Sequence, residues 1–398
     1  MSRATNRLKI LKEITGSNTG EFPLHIFLKK YFRAHRSMGS TDRRVMSSLV
    51  YGWYRIGRSV DIDCFEDRVI VSGILLRELH HDWAVEIMNE VGEKKVSLND
   101  YAEKSIESRI EFVKSLYSSF NPDKIVDLHL QLSGDLTNEA LGMQMLQIPK
   151  IFIRVKPDKS EDVISEFEKH EITFHSVPEI ENIISVETRF NLKELDAFKL
   201  GYFEIQDRSS QIAGSLIQLK GDEKVWDCCC GSGGKSIQLK TKFPGLKITA
   251  SDIRSSIITN FKQRTSRYPQ FEFQAEIKDI LASGNAEVRE TDYDLVLVDV
   301  PCTGSGTWAR HPENLVFFKK DDINKYLSDQ KQILKKVAQT MKKGANLAYI
   351  TCSVFRSENE DITEYITEKL DLQCNKMEVI DGTQHFSDSM FYASFSKP

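Results

Sequence analysis

A strand-like run, a glycine-rich turn and a helix-like run follow one another in Val225-Trp-Asp-Cys-Cys-Cys-Gly231-Ser-Gly233-Gly234-Lys235. Glycines at such a turn let the backbone reverse sharply and approach a bound ligand closely. In an open α/β sheet, ligands bind outside the carboxyl ends of the strands, which is where this turn is expected to lie. The segment therefore predicts a mostly parallel sheet that binds a nucleotide-type ligand.

Strand-like and helix-like runs alternate from about Arg208 to the C-terminus. We expect strands at Val225–Trp226, Lys247–Ser251, Phe271–Gln274, Asp294–Val298, Ala345–Thr351, Met377–Ile380 and Met390–Phe395. We expect helices at about Gly234–Phe243, Ser255–Tyr268, Asp321–Lys342 and Glu358–Leu370. This alternation predicts a doubly wound α/β sheet, and the last two strands predict an antiparallel edge hairpin because no long helix separates them. Ser357 and Glu360 have the spacing of a capping box at the start of the last helix.

Two further regions precede this one. Residues 1–133 predict an all-helical domain because apolar residues such as Leu24, Leu28 and Phe32 recur at helical spacing. Residues 134–207 predict a small α+β domain with an antiparallel sheet. Its expected elements are helices at Asn138–Leu146, Ser160–Lys169 and Leu192–Leu200, and strands at Ile151–Val155, Ile172–Val177, Ile183–Val186 and Tyr202–Gln206. Residues 208–398 complete the chain as a third domain.

The overall composition is that of an ordinary globular protein, with 40% hydrophobic residues, 28% charged residues and a net charge of −4. This charge argues against a globally basic nucleic-acid binder, so such a role must rest on a local patch. No apolar run approaches the roughly 20 residues of a membrane helix, and the first residues lack the apolar core of a signal peptide. Seven cysteines in such a chain predict a reducing cytoplasm, and none has zinc-ligand spacing. Nothing demands a partner subunit, so we expect a monomer.

Positive charge is concentrated between residues 29 and 58, a stretch that contains eight basic residues and one acidic residue, Asp42. The basic residues are Lys29, Lys30, Arg33, Arg36, Arg43, Arg44, Arg55 and Arg58. The aromatic residues interleaved with them are Tyr31, Phe32, Tyr51, Trp53 and Tyr54. Charge runs are usually solvated helix faces. In a net-acidic chain, however, this bias favours a surface that contacts the phosphate backbone of a nucleic acid.

Two common ligands of glycine turns fit this one poorly. Gly234-Lys235-Ser236 looks like the end of a P-loop, but that motif needs a glycine five positions before Gly234, where this chain has Cys229. A dinucleotide site needs a fingerprint of three glycines, and the third is missing. S-adenosylmethionine remains as the expected ligand.

Acidic residues follow the expected strands at the positions that such a ligand needs. Asp252 stands 19 residues after Gly233, close to the spacing of about 20 expected for an acid that binds ribose hydroxyls. Asp279 follows the third strand, where an adenine amino group would lie. Asp227 and Asp299 end the first and fourth strands. A single aspartate at a strand end is usually a turn former, but four at one sheet edge favour a binding site.

Two cysteines stand in loops that follow strands, in Asp299-Val-Pro-Cys302 and in Thr351-Cys352-Ser353. A thiolate suits a carbon target, because C5 of a pyrimidine becomes nucleophilic only after a thiolate adds to C6. A free thiol with a pKa near 8.5 is little ionised at neutral pH, so the nucleophile needs help from a nearby cation such as Lys235. The other cysteines, Cys64, Cys228, Cys229, Cys230 and Cys374, are expected to be packing residues.

Several segments closely resemble the Nop/Sun-type RNA cytosine-C5 methyltransferases, and the whole chain resembles their bacterial RsmB-like branch. The segments are Val225–Ser236, Tyr293–Glu313 with Asp299-Val-Pro-Cys302-Thr-Gly-Ser-Gly306 and Arg310-His-Pro-Glu313, Ala348–Glu360 with Thr351-Cys352-Ser353, Gln206-Asp-Arg-Ser-Ser-Gln211, and Phe391-Tyr-Ala393. The resemblance implies a NusB-like helical RNA-binding domain, a small α+β domain and a Rossmann-like methyltransferase domain. The first 130 residues carry it only loosely.

By this resemblance, Cys352 is the nucleophile and Cys302 assists release of the methylated product. The residues implied to bind S-adenosylmethionine are Cys229, Cys230, Gly231, Ser232, Gly233, Gly234, Lys235, Asp252, Asp279 and Asp299, and no metal is implied. The family usually has a proline before its Gly-Gly-Lys, where this chain has Ser232. This departure affects the stiffness of the turn.

The sequence therefore predicts an S-adenosylmethionine-dependent RNA cytosine-C5 methyltransferase that acts on 16S ribosomal RNA. A transfer RNA substrate is the alternative within the same enzyme class, since a basic surface reads backbone charge and not base identity. A non-catalytic RNA-binding factor for ribosome assembly is the alternative from another class. The presence of Cys302, Cys352 and Asp252 argues against it.

Overall fold

The computed structural model describes residues 2–59, 65–76, 86, 89–90, 104–126, 128–177, 180–188, 190–282 and 291–398. Its helices are α1 (Arg3–Ser17), α2 (Leu24–Ala34), α3 (Ser40–Arg55), α4 (Phe65–Leu75), α5 (Ile106–Leu116), α6 (Asn138–Met145), α7 (Ser160–Lys169), α8 (Asp196–Lys199), α9 (Arg208–Ser215), α10 (Gly234–Lys242), α11 (Ser255–Thr265), α12 (Pro312–Phe317), α13 (Asp322–Thr340) and α14 (Glu360–Leu370). Its strands are β1 (Ile151–Val155), β2 (Thr173–Ser176), β3 (Ile183–Glu187), β4 (Phe203–Ile205), β5 (Lys224–Asp227), β6 (Lys247–Asp252), β7 (Phe273–Ile277), β8 (Leu295–Asp299), β9 (Asn346–Thr351), β10 (Gln373–Ile380) and β11 (Met390–Ser396).

The chain forms two compact units. The first consists of Met1–Leu130, Asp135–Pro149 and Thr307–Lys320, and the second of Gln131–Gly134, Lys150–Gly306 and Asp321–Pro398. Both sheets belong to the second unit. The division into domains at 1–133, 134–207 and 208–398 stays a prediction.

The described secondary structure of the first unit is helical, as expected for the N-terminal region and consistent with a NusB-like domain. Helix α2 presents Leu24, Leu28 and Phe32 on one face, and all three are buried. They pack in one core with apolar residues of α1 and α3, such as Leu11 and Leu49. The helical period of the apolar residues therefore determines this core.

The smaller sheet of the second unit has the strand order β2-β3-β1-β4, and its neighbouring strands pair antiparallel. Its core contains Val163 and Phe167 from α7, packed against strand residues such as Ile153, Val186 and Phe203. The predicted small α+β architecture is therefore confirmed.

The larger sheet has the order β10-β11-β9-β8-β5-β6-β7, and its strands β5 to β9 pair in parallel. Strand β11 runs antiparallel to both β9 and β10, which confirms the edge hairpin. In β8, Leu295 and Leu297 pack into the core on one face, whereas Val296 and Val298 pack into the core on the other. A sheet covered on both faces needs such continuous apolar strands. The doubly wound, Rossmann-like fold is confirmed.

One predicted helix is divided. The run Leu192–Leu200 forms a short 3-10 helix at Leu192–Glu194 and then α8, with Leu195 extended between them. The carboxylate of Glu166 accepts hydrogen bonds from the backbone N–H groups of Asp196 and Ala197, at 2.7 and 2.8 Å. This side chain from another helix supplies the acceptor for a new helix N-terminus, so the single-helix prediction was wrong.

The capping-box prediction at Ser357 was also wrong. Residues Arg356–Glu358 form a 3-10 turn, and α14 begins at Glu360 without a side-chain cap. Instead, the Glu360 carboxylate accepts from Ser133 Oγ at 2.7 Å and from the Gly134 backbone N–H at 2.8 Å. Glu360 thus ties α14 to a distant segment of the second unit.

We expect Glu360→Ala to lower the free energy of unfolding by about 1–3 kcal/mol, because it removes the acceptor of two donors in a mostly buried site. Ser357→Ala is the matched control and should change the free energy of unfolding by less than about 0.5 kcal/mol. Urea unfolding of the two variants measures both values. Equal losses at the two positions would contradict this account of the helix start.

Candidate active site

The carboxyl edge of the parallel sheet collects the acidic residues singled out in the sequence. Asp227, Asp252 and Asp299 are the last residues of β5, β6 and β8. Asp279 follows the end of β7 at Ile277. Parallel neighbours end at the same edge, so their side chains converge there.

The two loop cysteines come together at this edge. Strands β8 and β9 are parallel neighbours, with Asp299 opposite Ile350, and the Val300 N–H donates to the Ile350 carbonyl at 3.2 Å. The following loops bring Cys302 Sγ to 3.3 Å from Cys352 Sγ. Both thiols are partly buried. The strand pairing therefore places two residues that are 50 positions apart in sulfur–sulfur contact.

The carboxylate of Glu358 joins the two cysteine loops, and the sequence interpretation missed it. From the Cys302 loop, Thr303 donates its N–H at 3.0 Å and its hydroxyl at 2.6 Å. From the Cys352 loop, Ser353 donates its hydroxyl at 2.6 Å, and Gln330 of α13 adds its amide at 3.0 Å. Glu358 is fully buried, so these four donors supply the hydrogen bonds that a buried carboxylate requires.

The second glycine of the Cys302 loop, Gly306, lies where no larger residue would fit. Its N–H donates to the Cys352 carbonyl at 2.9 Å. A Cβ atom at this position would lie 2.0 Å from the Ser389 carbonyl oxygen and 3.1 Å from that of Cys352. Only glycine permits so close an approach of three backbone segments.

The environment of the pair raises the pKa of the Cys302 thiol well above its ordinary value, first through its hydrogen bond with Cys352 and then through burial. The negative charges of Cys352 and Glu358 act in the same direction. These effects together favour the protonated form of Cys302.

Lys235, in the first turn of α10, pairs with a strand-end acid at this edge. Its ammonium donates to Asp299 Oδ2 at 2.7 Å. Burial lowers the pKa of Lys235, but the charge and hydrogen bond of Asp299, followed by the charge of Cys352, outweigh burial and raise it. The raised pKa favours the protonated form of Lys235.

The glycine turn joins β5 to α10 as predicted. Gly231 and Gly233 have φ of +50° and +86°, and the Gly233 N–H donates to the Cys230 carbonyl at 2.9 Å. A Cβ at Gly233 would lie 2.6 Å from the Phe261 ring, whereas a Cβ at Gly231 would have no atom within 4 Å. The turn is therefore packed on one side and open at Gly231, as a cradle for a ligand would be.

The remaining cysteines fit the packing interpretation. Cys228 and Cys230 are buried in apolar cores, and Cys229 and Cys374 are partly buried. Cys64 lies outside the described residues. Cys229 and Cys230 also precede Gly231 in the turn, so their contribution to ligand binding stays a prediction.

At the same sheet edge, Asp227 has a buried carboxylate oxygen without a hydrogen-bond partner. Its Oδ2 accepts from Ser236 Oγ at 2.6 Å, whereas its Oδ1 is buried without a hydrogen-bond partner. Burial raises the pKa of Asp227 to about 7, against the lowering effect of Ser236. A buried oxygen of this kind is the acceptor that a cationic or N–H-bearing ligand would satisfy.

Asp252 and Asp279, which are predicted to bind the ribose and the adenine of the ligand, already accept hydrogen bonds from other groups of the chain. Asp252 accepts from the Arg254 N–H and Nε at 3.0 Å each and from its Nη2 at 3.1 Å. The Arg254 side chain is 62% exposed. Asp279 accepts from the N–H groups of Leu281 and Ala282, in the manner of a turn former. Their roles in ligand binding stay predictions.

The basic patch of the first unit divides into two groups. Arg55 is buried and donates to the carbonyls of Met145, Gln147 and Ala309, and burial lowers its pKa to about 10. Arg58 donates to the Phe318 carbonyl at 2.9 Å. These two arginines hold the helical unit together, contrary to a purely solvent-facing patch. A groove of about 430 Å³ remains, with Lys29, Arg33 and Arg43 among its lining residues.

Two further findings bear on the class of site. Within the described ranges, no group of three His, Cys, Asp or Glu side chains is arranged to hold a metal ion. The helices described by the structure include none that is long and apolar enough to cross a membrane.

Comparisons with known proteins agree with this geometry. Residues 215–394 match the family described as 16S rRNA methyltransferase RsmB/F. The chain is 29% identical over 259 residues to ribosomal RNA small subunit methyltransferase B of Proteus mirabilis, a match that covers 63% of this chain and 60% of that protein. The chain spans 40–60% of the lengths of the first three curated relatives.

Two solved structures show the same fold. The crystal structure of PH0851 covers 100% of this chain and 99% of its own, with a TM-score of 0.67 and 22% identity. The crystal structure of NSun6 from Pyrococcus horikoshii with SFG covers 65% of this chain and 94% of its own, with a TM-score of 0.57 and 16% identity. The family match at residues 215–394 contains the glycine turn and both cysteine loops. The chain is therefore similar to the RsmB/F family over residues 215–394.

Proposed function

We propose that this chain methylates C5 of cytosine in RNA, with S-adenosylmethionine as methyl donor and 16S ribosomal RNA as substrate. The observation that carries this proposal is the pair of thiols 3.3 Å apart in the loops that follow β8 and β9. A methyltransferase that acts on an amino group has no use for two such sulfurs. A pyrimidine carbon needs one, because C5 must be activated by addition of a nucleophile to C6.

The donor site in this proposal comprises the glycine turn and the strand-end acids. S-adenosylmethionine, when bound, supplies an electrophilic methyl group on a sulfonium. Gly231 leaves open space for close approach of the ligand, and Asp227 Oδ1 offers a buried acceptor. For Asp252 to receive ribose hydroxyls, Arg254 has to release it, and the exposed Arg254 side chain can move into solvent. Asp279 and Asp299 complete the acidic edge.

The two thiols have different roles in the proposed covalent reaction. Cys352 attacks C6 as a thiolate, which forms the S–C6 bond and moves the electron pair of the C5–C6 double bond to C5. C5 then takes the methyl group, which leaves S-adenosylhomocysteine, and loss of the C5 proton to solvent restores the double bond and expels the Cys352 thiolate. Cys302 keeps its proton and donates a hydrogen bond to the Cys352 sulfur, which stabilises the departing thiolate. The Lys235 ammonium supports the same negative charge.

The RNA backbone is proposed to contact the basic groove around Lys29, Arg33 and Arg43, since phosphate contacts give most of the affinity in nucleic-acid binding. We expect the protein to act as a monomer in the cytoplasm. Base identity is read elsewhere, because phosphate contacts position a nucleic acid without reporting its sequence.

Cys352→Ala should abolish methylation while S-adenosylmethionine still binds, because only the attacking sulfur is lost. Bisulfite sequencing of total RNA from cells that express the wild type, this variant or neither protein measures the reaction and identifies the target cytosine. Cys374→Ala, at a cysteine outside the site, is the matched control. Normal methylation by Cys352→Ala would refute the covalent mechanism, and a target in transfer RNA would correct the substrate.

Cys302→Ala should accumulate a covalent RNA–protein adduct, because Cys352 still attacks but leaves without the donor at 3.3 Å. A denaturing gel with labelled RNA and S-adenosylmethionine detects the adduct as a band of reduced mobility. The double variant Cys302→Ala/Cys352→Ala should give no such band. Recovery of free RNA alone with Cys302→Ala would show that Cys302 does not assist release.

Glu358→Ala should lower kcat by about 100-fold, because a small displacement of either cysteine loop misplaces the reacting groups. Glu358→Gln should keep most of the activity, since its amide oxygen can accept from Thr303 N–H and Gln330 while its amide group donates to the two hydroxyls. Methylation kinetics of both variants decide the point. A Gln variant as inactive as the Ala variant would mean that the charge, and not the position of the loops, matters.

A further inference from the structure

Ser232 occupies an unusual place in the glycine turn. It lies between Gly231 and Gly233, whose φ values of +50° and +86° are in the left-handed region. Glycines on both sides give the turn many accessible conformations when nothing holds it. Where the family usually has a stiffening proline, this chain has an exposed serine. The required rigidity must therefore come from another source.

The Arg264 side chain holds Ser232 from outside the turn. Its Nη1 donates to Ser232 Oγ at 2.8 Å and reaches the Ser232 carbonyl at 3.4 Å. The other two nitrogens of the same guanidinium, Nε and Nη2, donate to Glu204 Oε2 at 2.9 and 2.6 Å. One planar group thus connects a carboxylate to the turn.

Glu204 fixes the orientation of that guanidinium. It is 2% exposed and lies in β4 of the smaller sheet. Its other oxygen, Oε1, accepts from Arg267 Nη2 at 2.5 Å and from Tyr268 Oη at 2.6 Å. A buried carboxylate held by three side chains has little freedom, so Arg264 presents Nη1 to Ser232 in one direction.

We propose that Arg264 is a positioning residue for the cofactor turn, and that Glu204, Arg264 and Ser232 together do what the family proline does by restricting the backbone. The inference rests on the proposed function, in that the turn binds S-adenosylmethionine. It also assigns a role to the smaller sheet, whose strand β4 supports the cofactor turn. An arginine that merely balanced Glu204 would need no contact with Ser232.

A lysine at position 264 does not satisfy this geometry. Its single ammonium cannot reach Glu204 and Ser232 along the directions that the three guanidinium nitrogens take. The bracing thus depends on the planar shape of arginine as well as on its charge.

The test is calorimetric titration of the full chain with S-adenosylmethionine and with S-adenosylhomocysteine. Ser232→Ala, which leaves the Arg264–Glu204 pair intact, should raise Kd by about two- to tenfold, the range that one net hydrogen bond contributes. Arg264→Gln should raise Kd by at least as much. The double variant should be no worse than Arg264→Gln alone, because both changes remove the same contact.

Two further variants separate bracing from general stability. Arg267→Gln removes another donor to Glu204 without removing the contact with Ser232, so it should lower Tm and raise Kd much less than Ser232→Ala does. Ser232→Pro, which restores the family residue, should return Kd of the Arg264→Gln variant close to the wild type. Wild-type Kd in both Ser232→Ala and Arg264→Gln, or equal weakening by Arg267→Gln, would overturn the proposal. Absence of binding by the wild type would instead refute the proposed function.

Discussion

The buried carboxylate of Glu358 is the interaction on which the geometry of the candidate site depends. Strand pairing brings the ends of β8 and β9 side by side, but loops that follow strands are free to diverge. Glu358 prevents this by accepting hydrogen bonds from Thr303 in one loop and Ser353 in the other. A buried carboxylate without these donors would be costly, so the folded chain keeps both loops in place. The contact between the two sulfurs is a consequence of this constraint.

The donor side of the site is organised in a different way. Its turn contains left-handed glycines and lacks the usual proline, so the backbone alone does not make it rigid. Support comes from the smaller sheet through Glu204 and Arg264, and from the ion pair between Lys235 of α10 and Asp299 at the end of β8. The two sheets of the second unit thus have separate tasks. The larger one places the reactive groups, and the smaller one restrains the surface on which the donor is proposed to lie.

Local sequence pattern predicted the features that local chemistry determines. Apolar runs gave the strands of the larger sheet, and Cys302 and Cys352 were recognised because each follows such a run. The pattern failed where a residue distant in sequence determines the local structure. Glu166 interrupts the run Leu192–Leu200, and Glu360 bonds to Ser133 and Gly134 and not to its own helix start. Glu358 was missed because it stands among acids at a helix start, where a cap is the simpler interpretation. Arg55 was assigned to a surface patch, although it is buried and donates hydrogen bonds to three backbone carbonyls.

The separation of 3.3 Å between the two sulfurs has a further chemical consequence. Two thiols in contact need to lose only two electrons and two protons to become a disulfide, and no large rearrangement of the chain stands in the way. A peroxide-type oxidant that reached this partly buried pair would remove the proposed nucleophile and its proposed proton donor together. The same proximity that is proposed to serve addition and release therefore makes the site sensitive to oxidation, and the proposed activity requires surroundings that keep both thiols reduced.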